Sequence, residues 1–122
     1  MKSQRWSFGL WLGIVLLAVQ ELHCQEPDAG LPKVVLLGDS IRLGYTPYVQ
    51  KALAGQAVIV SPKANGGDSA RMLKNLEEWA IREQPAVVHF NCGIHDFKKS
   101  KTAGTFQVPP DEYAANLRRI VA

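Results

Sequence analysis

The sequence predicts an α/β protein with a flavodoxin-like architecture of three layers, in which helices cover both faces of a parallel β-sheet. Three short apolar runs, VVLL, AVIV and AVVHF, recur along the chain and end at residues 37, 60 and 90. Stretches with helical character separate and follow these runs. Short strands of continuous apolar residues, alternating with helices, are typical of a parallel sheet that is buried on both faces. The predicted element order is therefore β-α-β-α-β-α.

The first two strands flank the first predicted helix. VVLL gives way at once to the polar sequence GDS at residues 38–40, which ends the first strand. A helix is predicted over residues 47–54, and AVIV follows it as the second strand. The apolar residues of the second helix lie on one face of a 3.6-residue period, at Met72, Leu76, Trp79 and Ala80.

The third strand and the last helix complete the pattern. AVVHF is followed by a predicted loop that reaches Val108. The final segment, PPDEYAANLRRIVA, has Asp111 and Glu112 in its first turn and Arg118 and Arg119 in its last. These are the charges that the helix dipole favours at each end, so a helix is predicted here.

The N-terminus predicts a secretory signal peptide over residues 1–24. Two basic residues precede an apolar run at 6–19, and polar residues follow it. This run is shorter than the roughly 18 to 20 residues that a membrane-spanning helix needs. We therefore expect cleavage after Cys24, no stable membrane span afterwards, and a secreted or periplasmic protein. Residues 25–32 then form a flexible lead-in, and residues 33–122 form the domain.

The composition indicates neither nucleic acid nor a metal as a partner. The chain has 14 basic and 11 acidic residues, a net charge of +3, and its one basic cluster, KKSK at 98–101, predicts a solvated loop. After signal cleavage Cys92 is the only cysteine, which excludes an intrachain disulfide. His89, Cys92 and His95 have a metal-like spacing but lack a second ligand pair. We predict neither a metal nor a cofactor.

A polar segment follows each of the three predicted strands, at residues 38–40, 61–70 and 91–96. The carboxyl ends of parallel strands meet at one edge of a sheet, and ligands bind there where the strand order reverses. We therefore expect these three segments to come together.

The residues of these segments favour an acyl-transfer site. Ser40 lies near the start of a helical region, where exposed amides favour a negative charge. Gly66 and Gly67 leave backbone amides accessible, and Asn91 and His95 supply side-chain donors. A serine beside converging donors is typical of a nucleophile with an oxyanion hole. GDSIRLGY lacks the residue spacing of a P-loop or of a dinucleotide fingerprint, which disfavours phosphate binding.

Each of these features also has a purely structural interpretation. A serine after a strand can cap the next helix, and adjacent glycines are common in turns. His89 alternates with apolar neighbours in its strand, and Cys92 fits a small buried thiol. His95 and Asp96 could form an ordinary surface pair. From the residues alone these alternatives stay open.

In their order along the chain, the three segments resemble the sequence blocks of the SGNH, or GDSL-type, hydrolases over about residues 34–122. LLGDS is similar to the first block of that family, and NGGDSAR is similar to the second. GIHD, at 93–96, occupies the place of the third block, normally Gly-x-Asn-Asp. The resemblance implies the SGNH hydrolase fold and a serine esterase acting on acyl esters of small molecules or of carbohydrate.

The resemblance also implies a role for each matched residue. Ser40 would be the nucleophile and, through its own amide, an oxyanion donor. The amide of Gly67, with Gly66 as the fallback, would be a second donor. His95 would take the place of the family's asparagine as the side-chain donor. We expect supporting hydrogen bonds from Asp39, Asn91 and Asp96.

One block of the family has no counterpart in this sequence. The family's general base lies in a downstream Asp-x-x-His block, yet no histidine occurs after His95. Loss of the base or nucleophile of a serine triad costs roughly 10⁶ in turnover. We therefore expect the 122 residues to be the truncated N-terminal part of an SGNH domain, close to inactive as they stand. The alternative is a non-catalytic exported α/β binding module.

Overall fold

The computed structural model describes residues 30–99 and 104–122. The predicted signal peptide, most of the lead-in and part of the KKSK cluster lie outside the described residues. The elements in chain order are β1 Lys33–Leu37, α1 Ser40–Ala52, β2 Val58–Val60, α2 Ser69–Trp79, a 3₁₀ turn Ile81–Glu83, β3 Val87–Phe90 and α3 Pro110–Val121. Within these described ranges, no helix combines the length and apolar character that a bilayer span requires.

The three strands form one parallel sheet in the order β2-β1-β3, which confirms the predicted α/β class. The strand β1 lies in the middle, where Val34 pairs with Ile59 on one side and with Val87 on the other. Because the chain returns past β1 to reach β3, the strand order reverses at β1. The expected ligand position is therefore beyond Leu37 and Phe90, where these two strands end.

Helices pack on both faces of this sheet, as the sequence predicts. Phe90 of β3 faces a groove that Leu76 of α2 and Ile120 of α3 also line. The preceding residue, His89, points to the other face, where its Nε2 lies 2.9 Å from the hydroxyl of Tyr45 in α1. Since successive strand residues point to opposite faces, α1 covers one face and α2 and α3 cover the other.

The core lies between β1 and α2. Its buried apolar members are Val35, Leu37, Met72 and Ala80. Leu76 and Trp79 pack against this cluster, so the apolar face predicted for the second helix is confirmed. Burying one large apolar side chain contributes about 1.5–3 kcal/mol. This packing fixes the position of α2 and of the loop that precedes it.

The helix α1 begins at Ser40, directly after β1, and not at residue 47 as the sequence predicted. Pro47 lies inside the helix. The start is set by Asp39, whose Oδ1 accepts a hydrogen bond of 2.9 Å from the Ile41 amide. A carboxylate in this position satisfies an otherwise unpaired amide of the first turn, so the helix can start immediately after the strand.

The strand β3 forms an open edge of the sheet. Val87 and Val88 are 53% and 41% exposed, although the sequence predicted a strand buried on both faces. Among residues 30–99 and 104–122, no further strand pairs with β3. The described helices therefore leave part of the apolar surface of β3 uncovered.

Candidate active site

The three loops at the carboxyl ends of the strands are joined in pairs by hydrogen bonds. The bonds run from Gly66 N–H to Gly38 O (2.8 Å), from Asn91 Nδ2 to Asp39 Oδ1 (3.0 Å) and from Ser69 N–H to Asp96 Oδ1 (2.9 Å). Each loop is bonded to both of the others, so the three form one connected unit. The structure thus brings together the segments 38–40, 61–70 and 91–96, as expected from the strand order.

Ser40 is the first residue of α1, and it is exposed. Its amide belongs to the first helical turn, whose N–H groups have no acceptor within the helix. The interpretation of Ser40 as a helix cap is wrong, because Asp39 has that position. Ser40 therefore lies on the surface beside amides that favour a negative charge.

Asp39 and Asn91 form the contact between the first and third loops. Asp39 is buried, with 1% of its surface exposed, and its Oδ1 accepts from both Ile41 and Asn91. Asn91 in turn accepts a hydrogen bond of 3.4 Å from the hydroxyl of Tyr45. The geometry fits the predicted supporting role of this pair, which stays a prediction.

Gly66 allows the second loop to approach the first loop closely, and Gly38 allows the same for the third loop. A Cβ on Gly66 would lie 2.6 Å from the Gly38 carbonyl oxygen, and a Cβ on Gly38 would lie 2.1 Å from Oδ1 of Asn91. Neither distance is possible for real atoms. Only glycine can therefore occupy these two positions without displacing a loop.

Gly67 has a φ of +66°, and its amide donates a hydrogen bond of 2.9 Å to Oδ1 of Asn65. The amide predicted as an oxyanion donor is thus paired with a side chain in this structure. To hold an oxyanion it must share its proton or exchange this partner. The amide of Gly66 instead donates to the Gly38 backbone, which cannot rotate away. Gly67 remains the better of the two candidates.

Arg42 is a central residue of the site that the sequence analysis missed. Its side chain is 1% exposed, although arginine in the first turns of a helix usually faces solvent. The guanidinium donates to the carbonyl oxygens of Gly38 (3.2 Å), Pro62 (2.7 Å) and Ala64 (2.6 Å) and to Ser61 Oγ (2.8 Å). Burial lowers the pKa of Arg42, and the charges of Tyr45 and Asp39 oppose this shift. Arg42 thereby ties the second loop to the first.

The third loop contains the predicted donor His95 and the buried Asp96. His95 is half-buried, and its carbonyl accepts from the Lys98 amide at 3.3 Å. Asp96 is fully buried, and its Oδ1 accepts from both the amide and the hydroxyl of Ser69. The surface-pair interpretation of His95 and Asp96 is therefore wrong for Asp96. Its bonds to the second loop fit the expected support.

The side chains of His89 and Cys92 take no direct part in the hydrogen bonds that join the three loops. His89 is exposed on the sheet face that α1 covers, beside Tyr45. Burial raises the pKa of the Cys92 thiol, and the charge of Asp96 acts in the same direction. In the part of the chain that the structure describes, no three His, Cys, Asp or Glu side chains are placed to hold a metal ion.

Solved structures of two hydrolase-type proteins share this fold. One is an acetyl xylan esterase, with a TM-score of 0.63 and 20% identity, matched over 73% of this chain and 50% of its own. The other is a candidate acylhydrolase from Bacteroides fragilis, with a TM-score of 0.55 and 24% identity, matched over 77% of this chain and 46% of its own. No protein-family model and no curated protein matches the sequence. The chain spans about half the length of the structures that it matches.

Replacing Gly66 by alanine is expected to destabilise the fold by about 1–3 kcal/mol, the usual range for overpacking. The new Cβ would meet the Gly38 carbonyl oxygen, a backbone atom, at 2.6 Å. Urea unfolding followed by tryptophan fluorescence measures the free energy of unfolding. Gly44→Ala is the matched control, because a Cβ on that glycine in α1 meets nothing within 4 Å. Alanine there is expected to stabilise by roughly 0.5–1 kcal/mol, and equal effects at the two positions would contradict the close approach.

Replacing Arg42 by lysine is expected to lower the free energy of unfolding by roughly 3 kcal/mol, because hydrogen bonds from charged groups contribute about 1.5–3 kcal/mol each. An ammonium group cannot reach all the acceptors that the planar guanidinium reaches. Thermal and urea unfolding measure the loss. The exposed Arg118 provides the control, for which a lysine is expected to change stability by less than about 0.5 kcal/mol. A tolerated lysine at position 42 would show that this side chain does not tie the loops.

Proposed function

We propose that this chain is the nucleophile-bearing part of an exported serine esterase of the SGNH type, which hydrolyses acyl esters through an acyl-serine intermediate. The observation that carries the proposal is the position of Ser40. It is exposed at the N-terminus of α1, where three mutually bonded loops converge. The fold shared with an acetyl xylan esterase and a candidate acylhydrolase supports the same reaction class.

In this proposal Ser40 Oγ attacks the carbonyl carbon of the ester. The negative charge that develops on the carbonyl oxygen is held by the amides of Ser40 and Gly67 and by a ring N–H of His95. Fixed donors that point to such an oxygen stabilise the transition state more than the substrate. The dipole of α1 acts in the same direction at its N-terminus. The C–O bond of the ester then breaks, and the alcohol leaves with the proton taken from Ser40, so that the acyl group stays on Oγ. Hydrolysis of this acyl-serine by water releases the acid and restores the Ser40 hydroxyl.

The proton of Ser40 needs a base, and no histidine follows His95 in the sequence to match the family's Asp-x-x-His block. We place the base on an Asp-x-x-His segment of a longer gene product. In support, the match covers only 50% and 46% of the chains of the two solved structures. Without the base, turnover falls by roughly 10⁶, the cost measured for another serine hydrolase. The chain by itself is then close to inactive.

An acetylated carbohydrate is the substrate class that we favour within the acyl esters. The name of one structural neighbour, acetyl xylan esterase, describes a protein that removes acetyl groups from xylan. An exported enzyme would also meet polysaccharide outside the cytoplasm.

A non-catalytic exported binding module is the second candidate. One observation favours it: the Gly67 amide is occupied by Asn65. The module would keep the three converging loops without the chemistry. An Asp-x-x-His motif downstream in the full reading frame would favour the esterase, and its absence would favour the module.

Ser40→Ala is expected to lower hydrolysis of p-nitrophenyl acetate by the full-length protein roughly 10⁶-fold, because the attacking group is lost. Its circular dichroism spectrum and melting temperature should stay those of the unmodified protein, since Ser40 is exposed. Thr105→Ala removes a hydroxyl from an exposed position outside the three loops and should leave turnover unchanged. Turnover that survives in Ser40→Ala would remove Ser40 from the mechanism.

His95→Ala is expected to lower kcat about 10²- to 10³-fold, the usual cost of one lost oxyanion donor. His95→Asn restores a side-chain donor, so most of the activity should return. Steady-state kinetics with p-nitrophenyl acetate separate kcat from KM, and KM should change little in both variants. Equal defects in the alanine and asparagine variants would show that His95 does not act as a donor.

A further inference from the structure

The structure contains a buried chain of polar side chains behind the second and third loops. Asn116 Nδ2 of α3 donates to Ser69 Oγ at 3.1 Å, and Ser69 Oγ donates to Oδ1 of Asp96. The Ser69 amide donates to the same oxygen at 2.9 Å. Only 6% of Asn116 and none of Ser69 or Asp96 is exposed. This buried chain, Asn116–Ser69–Asp96, contains no atom of the nucleophile.

The buried chain connects the two loops that carry the proposed oxyanion donors. Ser69 follows Gly67 by two residues, and Asp96 directly follows His95. Two donors of Ser69 converge on one carboxylate oxygen, which restricts both sliding and rotation of one loop against the other. We propose that Ser69 and Asn116 are positioning residues, which set the separation of the Gly67 amide and the His95 side chain. This inference rests on the proposed function.

Asn116 determines the direction in which the Ser69 hydroxyl donates. A hydroxyl has one proton and two lone pairs. Because the Asn116 amide occupies a lone pair of Oγ, the proton of Ser69 is directed to Asp96. The helix α3 therefore helps to hold the site, although it contributes no residue to the three loops at the strand ends.

Asp96 depends on Ser69 because Ser69 donates both hydrogen bonds to Oδ1, while the other carboxylate oxygen, Oδ2, receives none from the described residues. Oδ2 is buried and has no hydrogen-bond donor among residues 30–99 and 104–122. A buried carboxylate that loses a donor is under-satisfied, and the surrounding structure shifts to restore a partner. Loss of the Ser69 hydroxyl therefore displaces Asp96 and, with it, the adjacent His95.

Positioning and a merely structural role make different predictions for kcat. In the full-length protein, Ser69→Ala and Asn116→Leu should each lower kcat for p-nitrophenyl acetate about tenfold to a hundredfold, the cost of a small misplacement. KM should stay within about threefold, because the misplaced donors stabilise the transition state and contribute little to binding of the unreacted ester. Asn75→Leu is the matched control, since Asn75 donates to the Arg71 carbonyl within α2, outside the three loops. It should leave kcat unchanged.

The decisive comparison repeats Ser69→Ala and Asn116→Leu in a His95→Ala background. If the buried chain acts through His95, the further loss of kcat should shrink to within about threefold there, since neighbours that share one function are not additive. An undiminished loss in that background would overturn the inference. It would leave the proposed function intact, because Ser40→Ala tests that function independently of the buried chain.

Amide hydrogen exchange of the full-length protein gives a measurement that does not depend on turnover. Asn116→Leu keeps the Ser69 hydroxyl and is expected to fold even if Ser69→Ala does not. In that variant the Ser69 amide should exchange about tenfold faster, as expected for the loss of roughly 1.4 kcal/mol of protection. Asn75→Leu should leave it unchanged. Equal exchange at Ser69 in the two variants would also overturn the inference.

Discussion

The contact between the Gly66 amide and the Gly38 carbonyl oxygen is the constraint on which the rest of the site depends. At 2.8 Å it brings two backbone segments so close that Gly66 cannot carry a side chain. Arg42 donates to the same carbonyl and to two carbonyls of the second loop, so a buried charge stabilises the contact. Burying a guanidinium is costly unless its donors are paired. The backbone oxygens that accept from the two terminal NH₂ groups of Arg42 therefore have to stay in place.

This constraint explains how a short chain can hold three loops in a fixed arrangement. The strand β1 lies between its two partners, so the loops that follow β2 and β3 approach the loop after β1 from opposite sides. The second loop reaches it through Gly66, and the third reaches it through the bond from Asn91 to Asp39. The hydrogen bond from the Ser69 amide to Asp96 joins the second loop to the third, so the contacts among the three loops form a closed triangle. Ser40 lies at the edge of this triangle and is exposed, while the residues that hold the triangle are buried, apart from the half-buried Asn91.

The order of strands and helices could be predicted from the sequence, because apolar runs and helical periodicity depend on local spacing. The convergence of the three polar segments followed from the rule that parallel strands end at one edge. The start of α1 could not be predicted, because Pro47 resembles a helix start and the Asp39 cap shows only in three dimensions. Arg42 and Asn116 were missed for a related reason. In the sequence both look like polar residues on exposed helix faces, and their burial depends on acceptors far away along the chain.

Labelling with a fluorophosphonate tests the central claim, that Ser40 is a nucleophile beside an oxyanion site, most directly. This reagent forms a stable bond with an activated serine and mimics the charge of the transition state. Peptide mass spectrometry of the labelled full-length protein should locate the adduct on Ser40, with Ser61 and Ser69 unmodified. An adduct on a different residue, or ester hydrolysis that proceeds without any adduct on Ser40, would contradict the claim.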